Sequence, residues 1–573
     1  MSERRALWLI ALAALALRLV LLVARGDYVV YDEGYYLLLA RSLRAGHGFT
    51  LNGLPHVALS PLQPVLVALA AAAGVPDLWA SRLLAAVCGS LLVLPVASLG
   101  RRVGGAEAGL AAAGFTAASP ALMSFVPFFP GESWNLYFGS EPLFLLLAFG
   151  AVAAAARAGE GGWRWSLAAG ALAGGAFLAR AEGAVLAPVL LVVLALALGL
   201  RLRAKAWRNI ALAVIAAAVV AAPYLFYLHA TLGRWAVSGR VQAASEVGQE
   251  VPSAVAGARS GGHVLDAFVW QGQPDAFLQS LYALDAGGTR MASQYWGVHL
   301  EAPPAPVATA GGESPRATEA PAGPDTARPA AAATRRGALA VWWRGLTTVV
   351  PPWLGVIALV GLVLAPAAPL LWIFPLAVCA IVPSALTYVE PRSLLPLAPL
   401  ATIYAAVTVL WIGRGVKARW KSAPLVLAAL TALALVAPAV RDLVRAWPQT
   451  TALQQVATAR RAVGEYLGDH LPPGAIVMSW HPAVAIWAER PWRVLPYASF
   501  ERITRYALGE GASAVVFSRF EPSPLPAPPR AFTVVLPDSS GAAGGASVQV
   551  VPVDETPLLF VGRLAPAAGR ATR

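Results

Sequence analysis

The chain has 573 residues, 58% of them hydrophobic and only 13% charged, with a mean hydropathy of +0.63. Soluble domains are about half apolar and about a quarter charged, so these proportions exclude a soluble enzyme and indicate an integral membrane protein with one polar appendage. The net charge of +13 does not mark a nucleic-acid surface, because all three lysines (Lys205, Lys417, Lys421) sit in two short arginine-rich loops, as topology signals do.

Residues 1–25 open with Arg4 and Arg5 and run apolar from Leu7 to Val23. The run exceeds a usual signal-peptide core and no small-x-small cleavage site follows, so a retained first helix with a cytoplasmic N-terminus is expected. Arg18 interrupts it and either snorkels outward or lines the bundle. Residues 26–77 form a first external loop that begins with Tyr31-Asp32-Glu33-Gly34-Tyr35-Tyr36. Two adjacent carboxylates at a bilayer mouth are a candidate site; interfacial solvation is the plain alternative. Within the loop, Tyr35 to His47 has helical spacing, with Arg41 and Arg44 three apart, and predicts a helix in the interface plane. Ser60-Pro61-Leu62-Gln63-Pro64 breaks the chain, and the apolar residues 65–73 are too few to span, which fits a half-buried segment on the bundle.

Further apolar runs stand near 79–99, 107–128, 138–156, 165–180, 183–200, 209–229, 347–365, 367–388, 394–412 and 423–440. With the first helix this gives about eleven spans of the length that a hydrocarbon core of about 30 Å requires. Arg180 and Glu182 cut the run 165–200, which reads as one long helix or a hairpin. Starting inside, the connections assigned to the cytoplasm carry Arg101-Arg102, then Arg157 and Arg164, then Arg201, Arg203, Lys205 and Arg208, and last Arg414, Lys417, Arg419 and Lys421. The positive-inside rule is satisfied only if 165–200 is split. The same topology puts the Asp32-Glu33 loop, Glu132, the Arg180–Glu182 turn and the Glu390–Arg392 turn together on the outer face.

Residues 230–345 form an uneven external loop: an aromatic part suited to a lid, or equally to a spacer, followed by an Ala/Pro/Thr/Gly stretch at 302–336 expected to be disordered. From Trp447 the pattern turns soluble. Helices are expected at 450–469, 482–488 and 500–509, with strands at 475–479, 493–496, 514–518, 532–536, 547–552 and 558–563. That alternation predicts a small α/β domain over 446–573, outside the membrane, beside a transmembrane catalytic domain over 1–445. His481 follows a strand end, where a structural role is the ordinary one.

Several chemistries are absent. No glycine-rich phosphate loop joins a strand to a helix, no nucleophile elbow occurs, and no Asp-x-Asp occurs. The seven histidines are dispersed without metal-ligand spacing, and the two cysteines, Cys88 and Cys379, sit in apolar runs with no disulfide framework. Carboxylates and arginines at the outer mouth of a helix bundle remain. A carboxylate there can take the proton of an acceptor hydroxyl, and guanidinium groups can hold a lipid-linked phosphate and the charge it gains on leaving.

These pieces, in this order, resemble a known family. Asp32-Glu33 followed by Tyr35-Tyr36 and an Ala40-Arg41 helix, Ser60-Pro61-Leu62-Gln63-Pro64, Ala80-Ser81-Arg82-Leu83-Leu84, Ser119-Pro120 and Ser140-Glu141-Pro142-Leu143 come first. Leu178-Ala179-Arg180-Ala181-Glu182-Gly183 and Glu390-Pro391-Arg392-Ser393-Leu394-Leu395-Pro396 follow. Together they resemble the GT-C glycosyltransferases of the bacterial family 39 type, related to protein O-mannosyltransferases and aminoarabinose transferases. The resemblance covers residues 1–230 and 345–445. It implies an α-helical polytopic fold of GT-C type in the bacterial cytoplasmic membrane, with its site facing the exterior. The implied reaction moves a hexose or pentose from a polyprenyl-phosphate donor to a lipid, glycan or protein acceptor, with inversion and no cofactor; whether a metal assists stays open. Asp32 is the implied general base and Glu33 its helper. Glu141 is implied to bind sugar or acceptor, and the arginines Arg180 and Arg392 are assigned to the phosphate by charge and placement. Glu182, Arg82 and Arg41 complete the expected substrate-binding set. For Arg180 and Glu182 a local ion pair is the plain alternative, and for Glu141 a helix N-terminal carboxylate. Competing functions are a polyprenyl-lipid transporter or flippase, which predicts inverted repeats not seen here, a glycan ligase or polymerase using a diphosphate-linked donor, and a non-catalytic assembly subunit.

Overall fold

The structure is a computed structural model that describes residues 2–24, 29, 31–123, 139–160, 162–198, 204–238, 342–343, 345–366, 369–386, 391–417, 420, 422–446, 452–479, 481–495, 507, 510–518, 532–536, 547–552 and 559–565. The expected helix at 500–509 apart from Ala507, nearly all of the 230–345 loop, and Glu132 and Glu390 lie outside these residues.

The chain begins with α1 (Glu3–Ala24) and α2 (Tyr31–Arg44), then a two-stranded ribbon of β1 (Thr50–Leu51) and β2 (Leu54–Pro55). Next come α3 (Leu62–Ala72), α4 (Asp77–Leu91), α5 (Val93–Gly104), α6 (Ala106–Ala118) and a 3-10 turn at Pro120–Leu122. The bundle continues with α7 (Glu141–Ala158), α8 (Trp163–Ala179), α9 (Gly183–Ala197) and α10 (Ala204–Leu232). Later helices are α11 (Pro352–Leu364), α12 (Leu370–Leu386), a 3-10 turn at Pro391–Leu394, α13 (Leu397–Val416) and α14 (Ala423–Ala446).

Among the described residues, five segments are long and apolar enough to cross a membrane: Glu3–Val23, Asp77–Gly104, Glu141–Ala158, Ala206–Leu232 and Leu397–Val416. Shorter apolar helices include Gly183–Ala197, Pro352–Leu364 and Ala423–Pro438. The run 165–200 is two helices, α8 and α9, parted at Arg180, whose backbone is extended. Of the apolar stretch 65–73, residues 65–72 belong to α3, which packs on α2 and α4, with Val67 buried against Leu37, Ala40 and Ala80. The protein is a helical membrane protein. Its inner helices are α7 and α13, most of whose residues are buried, whereas Leu9, Leu12, Val219, Phe226, Val363 and Leu425 leave apolar side chains facing outward on α1, α10, α11 and α14. Small residues permit the close crossings. A side chain at Gly170 of α8 would run into the Ala213 carbonyl of α10, and one at Gly361 of α11 into the Tyr404 carbonyl of α13.

The C-terminal part contains α15 (Ala452–His470), β3 (Ile476–Ser479), α16 (Ala483–Trp487), β4 (Trp492–Val494), β5 (Ala512–Ser518), β6 (Phe532–Leu536), β7 (Ser547–Pro552) and β8 (Leu559–Ala565). These strands form a six-stranded mixed sheet in the order β4-β3-β5-β6-β8-β7, with β3 parallel to both β4 and β5. The sheet is docked on α2 through α16. Arg41 donates to the Ile486 carbonyl, Tyr35 meets Trp492 edge-on with ring centroids 5.6 Å apart, and Arg493 donates to the Asn52 side chain at 3.1 Å.

Two sets of ion pairs show which turns share an end of the bundle. At one end Arg101 meets Glu3 at 3.3 Å, Arg102 meets Glu160 at 2.9 Å and Arg414 meets Glu107 at 3.1 Å, joining the start of α1 to the α5–α6 and α7–α8 turns and the end of α13. At the other end lie the start of α2, the start of α7, the α8–α9 turn and the turn before α13.

Candidate active site

Helix α2 begins at Tyr31, four residues earlier than the sequence spacing suggests. Asp32 and Glu33 therefore occupy its first turn instead of a loop, where the helix dipole favours carboxylates. Successive residues on a helix point about 100° apart, so the two acids reach different neighbours. Asp32 accepts an ion-paired hydrogen bond from Nη1 of Arg392, a residue 360 positions away. Glu33 turns instead to α4, where Arg82 Nε lies 3.3 Å from its Oε1; both side chains are fully buried.

Glu141 opens α7, with Pro142 in the first helical turn, where proline's missing N–H costs nothing. Its Oε1 accepts from Arg180 Nη1 and stands 3.9 Å from Arg392 Nη1. Arg180 is held where it is by the close approach of α8 and α9. Any side chain at Gly183 would strike the backbone of Ala176 and Phe177, so glycine at this position makes the sharp turn possible. The Arg180 guanidinium then bridges two acids: Nη2 donates to Glu182 Oε1 at 2.7 Å and Nε to Glu182 Oε2 at 3.3 Å. The result is an alternating row, Asp32–Arg392–Glu141–Arg180–Glu182, drawn from four separate parts of the chain. Arg392, Glu141 and Arg180 are buried, and Glu141 Oε2 has no hydrogen-bond partner among the described residues. A small recess beside the row is lined by Glu141, Arg180, Glu182, Arg392, Ser393 and Cys379, and the Cys379 thiol donates to the Glu182 carbonyl.

Of the expected site residues, Asp32, Glu141, Arg180, Glu182 and Arg392 are brought together. Glu33 and Arg82 form a separate buried pair beneath them. Arg41, expected to contact substrate, instead binds Asp77 at 2.8 Å, shares that acid with Arg44 at 2.6 Å, and ties α2 to α4 and to the C-terminal part. Its partners are a carboxylate and a carbonyl, because its helical face turns toward α4 and α16 and not toward α7. Arg18 lines the bundle: it is buried, donates to the Ala14 and Leu122 carbonyls, and packs on Gly89.

The site also contains Tyr36, which the sequence reading did not assign. Its hydroxyl shares a hydrogen bond of 2.8 Å with Ser140, immediately before Glu141. Burial, together with the neighbouring Asp32 and Glu141, pushes the phenol up to about 12, so it stays a neutral hydrogen-bonding group. The signal was present in the spacing: Tyr36 stands four residues after Asp32, on the same helical face. Among the described residues no cluster of three His, Cys, Asp or Glu side chains is placed to hold a metal.

Residues 59–227 match the family model of dolichyl-phosphate-mannose-protein mannosyltransferases. The matched stretch includes Arg82, Glu141, Arg180 and Glu182. Among solved structures, the chain is similar to ArnT from Cupriavidus metallidurans in the apo state, at 14% identity over 89% of this chain and 93% of that one, with a TM-score of 0.49. It is also similar to the archaeal oligosaccharyltransferase AglB from Archaeoglobus fulgidus in complex with an inhibitory peptide and a dolichol-phosphate, at 13% identity over 90% of this chain and 69% of that one, with a TM-score of 0.49. Arabinofuranosyltransferase AftD from Mycobacteria matches at 14% identity over 91% of this chain and 35% of that one, with a TM-score of 0.39. Likenesses this distant say nothing about substrate. No curated protein matches the chain.

Proposed function

We propose that this GT-C-type membrane protein moves a sugar from a polyprenyl-phosphate donor to an acceptor hydroxyl, with inversion at the anomeric carbon. The carrying observation is the buried row Asp32–Arg392–Glu141–Arg180, in which Asp32 on α2 pairs with Arg392 and Glu141 on α7 stands between Arg392 and Arg180, beside a recess. The matched family takes its name from a dolichyl-phosphate sugar, which is a donor of this class.

In this reading the two arginines receive the donor phosphate. A planar guanidinium presents paired N–H groups to phosphate oxygens, and in a site shielded from water that charge pairing is strong. Arg392 is then drawn away from Asp32. A carboxylate ion-paired to arginine is a poor base, so donor binding frees Asp32 to accept the acceptor's proton. The acceptor oxygen bonds to the anomeric carbon from the face opposite the phosphate. The bond from that carbon to the phosphate oxygen breaks, and the polyprenyl phosphate leaves with the electron pair, its new charge held by Arg180 and Arg392. Glu141 and Tyr36 orient the sugar, and the Glu33–Arg82 pair fixes the first turn of α2. The lipid tail stays among the apolar helix faces. The site faces the exterior of a bacterial cytoplasmic membrane, with the arginine-rich turns inside. Residues 1–445 form the catalytic membrane domain and residues 446–573 an extracytoplasmic α/β domain.

The test is Asp32→Asn assayed in membranes supplied with labelled polyprenyl-phosphate sugar. Loss of a general base lowers the rate by about 10²- to 10⁴-fold, with the protein still present at normal abundance. Undiminished transfer in this variant removes Asp32 from the role of base. Label that crosses the membrane without consumption of donor points instead to a transporter.

A further inference from the structure

The end of the bundle opposite the charge row carries a cavity of about 660 Å³ that sugar transfer does not use. It is bounded by Arg101 and Arg102 at the end of α5, by Arg157 and Glu160 at the end of α7, and by Gly162 and Trp165 at the start of α8. Three guanidinium groups face one carboxylate. Glu160 is taken by Arg102 at 2.9 Å, and Arg101 turns to Glu3 at 3.3 Å. Arg157 has no carboxylate partner among the described residues. Its guanidinium carbon sits 4.5 Å from the centre of the Trp165 ring, a cation–π contact that leaves the N–H edges free to donate. The ring position depends on glycine, since a side chain at Gly162 would come within 2.7 Å of Trp165.

The cavity lies where the apolar faces of α5, α7 and α8 end. Trp163 and Trp165 are both exposed beside it, as aromatic residues are at the boundary between hydrocarbon and headgroups. A volume of this size accommodates a small molecule or a headgroup. Basic pockets between helices at this depth suit phosphate-bearing lipids.

We infer that this cavity binds the headgroup phosphate of one anionic phospholipid, with Arg157 and Arg102 as its donors and Trp165 holding Arg157 in place. A free phosphate ion offers the same oxygens, but the cavity's position at the ends of spanning helices favours a headgroup whose acyl chains lie along them. The site is separate from the proposed transfer chemistry and stands or falls without it.

The full-length protein, purified in neutral detergent and titrated with phosphatidylglycerol, is followed by native mass spectrometry. One tightly retained phosphatidylglycerol is expected per chain, with phosphatidylcholine not retained. R102Q/R157Q weakens that binding by about tenfold or more, the loss expected for charge-assisted bonds to phosphate. R4Q/R5Q removes the same charge from the same end of the bundle outside the cavity and leaves the retained lipid unchanged. If R102Q/R157Q does not purify as a single species, R157Q alone carries the test. Equal loss in both double variants, equal retention of phosphatidylcholine, or displacement of the lipid by millimolar inorganic phosphate each overturns the proposal.

Discussion

The two ends of the bundle use arginine in opposite ways. At the α1 end, Arg101–Glu3 and Arg414–Glu107 join side chains that are roughly half exposed to solvent. At the α2 end, Arg180 and Arg392 are side chains 8% exposed, and their partners Glu141 and Asp32 are 4% and 13% exposed. Ion pairs in water contribute about 0–1 kcal/mol because solvent screens them and side-chain ordering opposes them. Buried pairs gain little over apolar packing, yet removing one partner costs about 3–5 kcal/mol because the other charge is stranded. The exposed set therefore fits topology, and the buried set fits the proposed transfer, in which an incoming phosphate rearranges charges that are already desolvated.

The largest change is expected for Arg180→Gln, which removes the guanidinium that both Glu141 and Glu182 bind. The thermal midpoint in detergent should fall by an amount equivalent to about 3–5 kcal/mol, and transfer should be lost. An unchanged midpoint breaks the contrast between the two ends. Gly34→Ala comes next. Its new methyl would stand 2.6 Å from Pro482 Cγ, so α16 must shift off the first turn of α2. Such overpacking costs about 1–3 kcal/mol, and transfer should drop because Asp32 is two residues away. Protease sensitivity of the C-terminal sheet together with the transfer rate checks this; a variant normal in both shows that the docked sheet does not hold the site.

Acidification should produce a smaller, graded loss. His481 is buried, its Nδ1 accepts from the Ala483 N–H, and burial together with the nearby Arg460 holds its imidazole well below the usual histidine range. Above about pH 6.5 both folded and unfolded chains hold it neutral. As the pH falls below that value the unfolded chain takes the proton first, and stability declines by up to about 1.4 kcal/mol per pH unit until the folded-state value is reached. Melting curves of the wild type and His481→Gln between pH 7.5 and 5 measure it, and an equal acid sensitivity in the variant assigns the effect elsewhere. The smallest effect is expected for Glu107→Gln at the exposed end, no more than about 1 kcal/mol with transfer intact. A loss matching that of Arg180→Gln would erase the distinction between the two ends.

Much of this was legible in the sequence because it is local. Apolar runs of spanning length, arginines gathered in alternate connections, and the breaks at Ser60-Pro61 and Arg180–Gly183 are properties of short windows, set by the bilayer's thickness and by backbone sterics. The strands near 476–479, 512–518, 532–536 and 547–552 were visible for the same reason. The start of α2 was placed too late because its first turn is polar and carries no apolar repeat, although a dipole-favoured acid pair stood there.

Partnership between distant residues was decided only by the packing of helices. Whether Arg392 meets Asp32 or Glu33 depends on the rotation of α2 by one residue, which moves a side chain through about 100°. That rotation is fixed by what buries Leu37, Leu39 and Ala40, not by the acids themselves. The same packing turned Arg41 to Asp77, gave Arg82 to Glu33 and set Arg157 against Trp165. The sequence by itself determined which segments are apolar helices and where the arginines gather, because hydropathy and charge are settled residue by residue. The tertiary structure decided which charges touch, because contact across hundreds of residues is set by the jointly packed core.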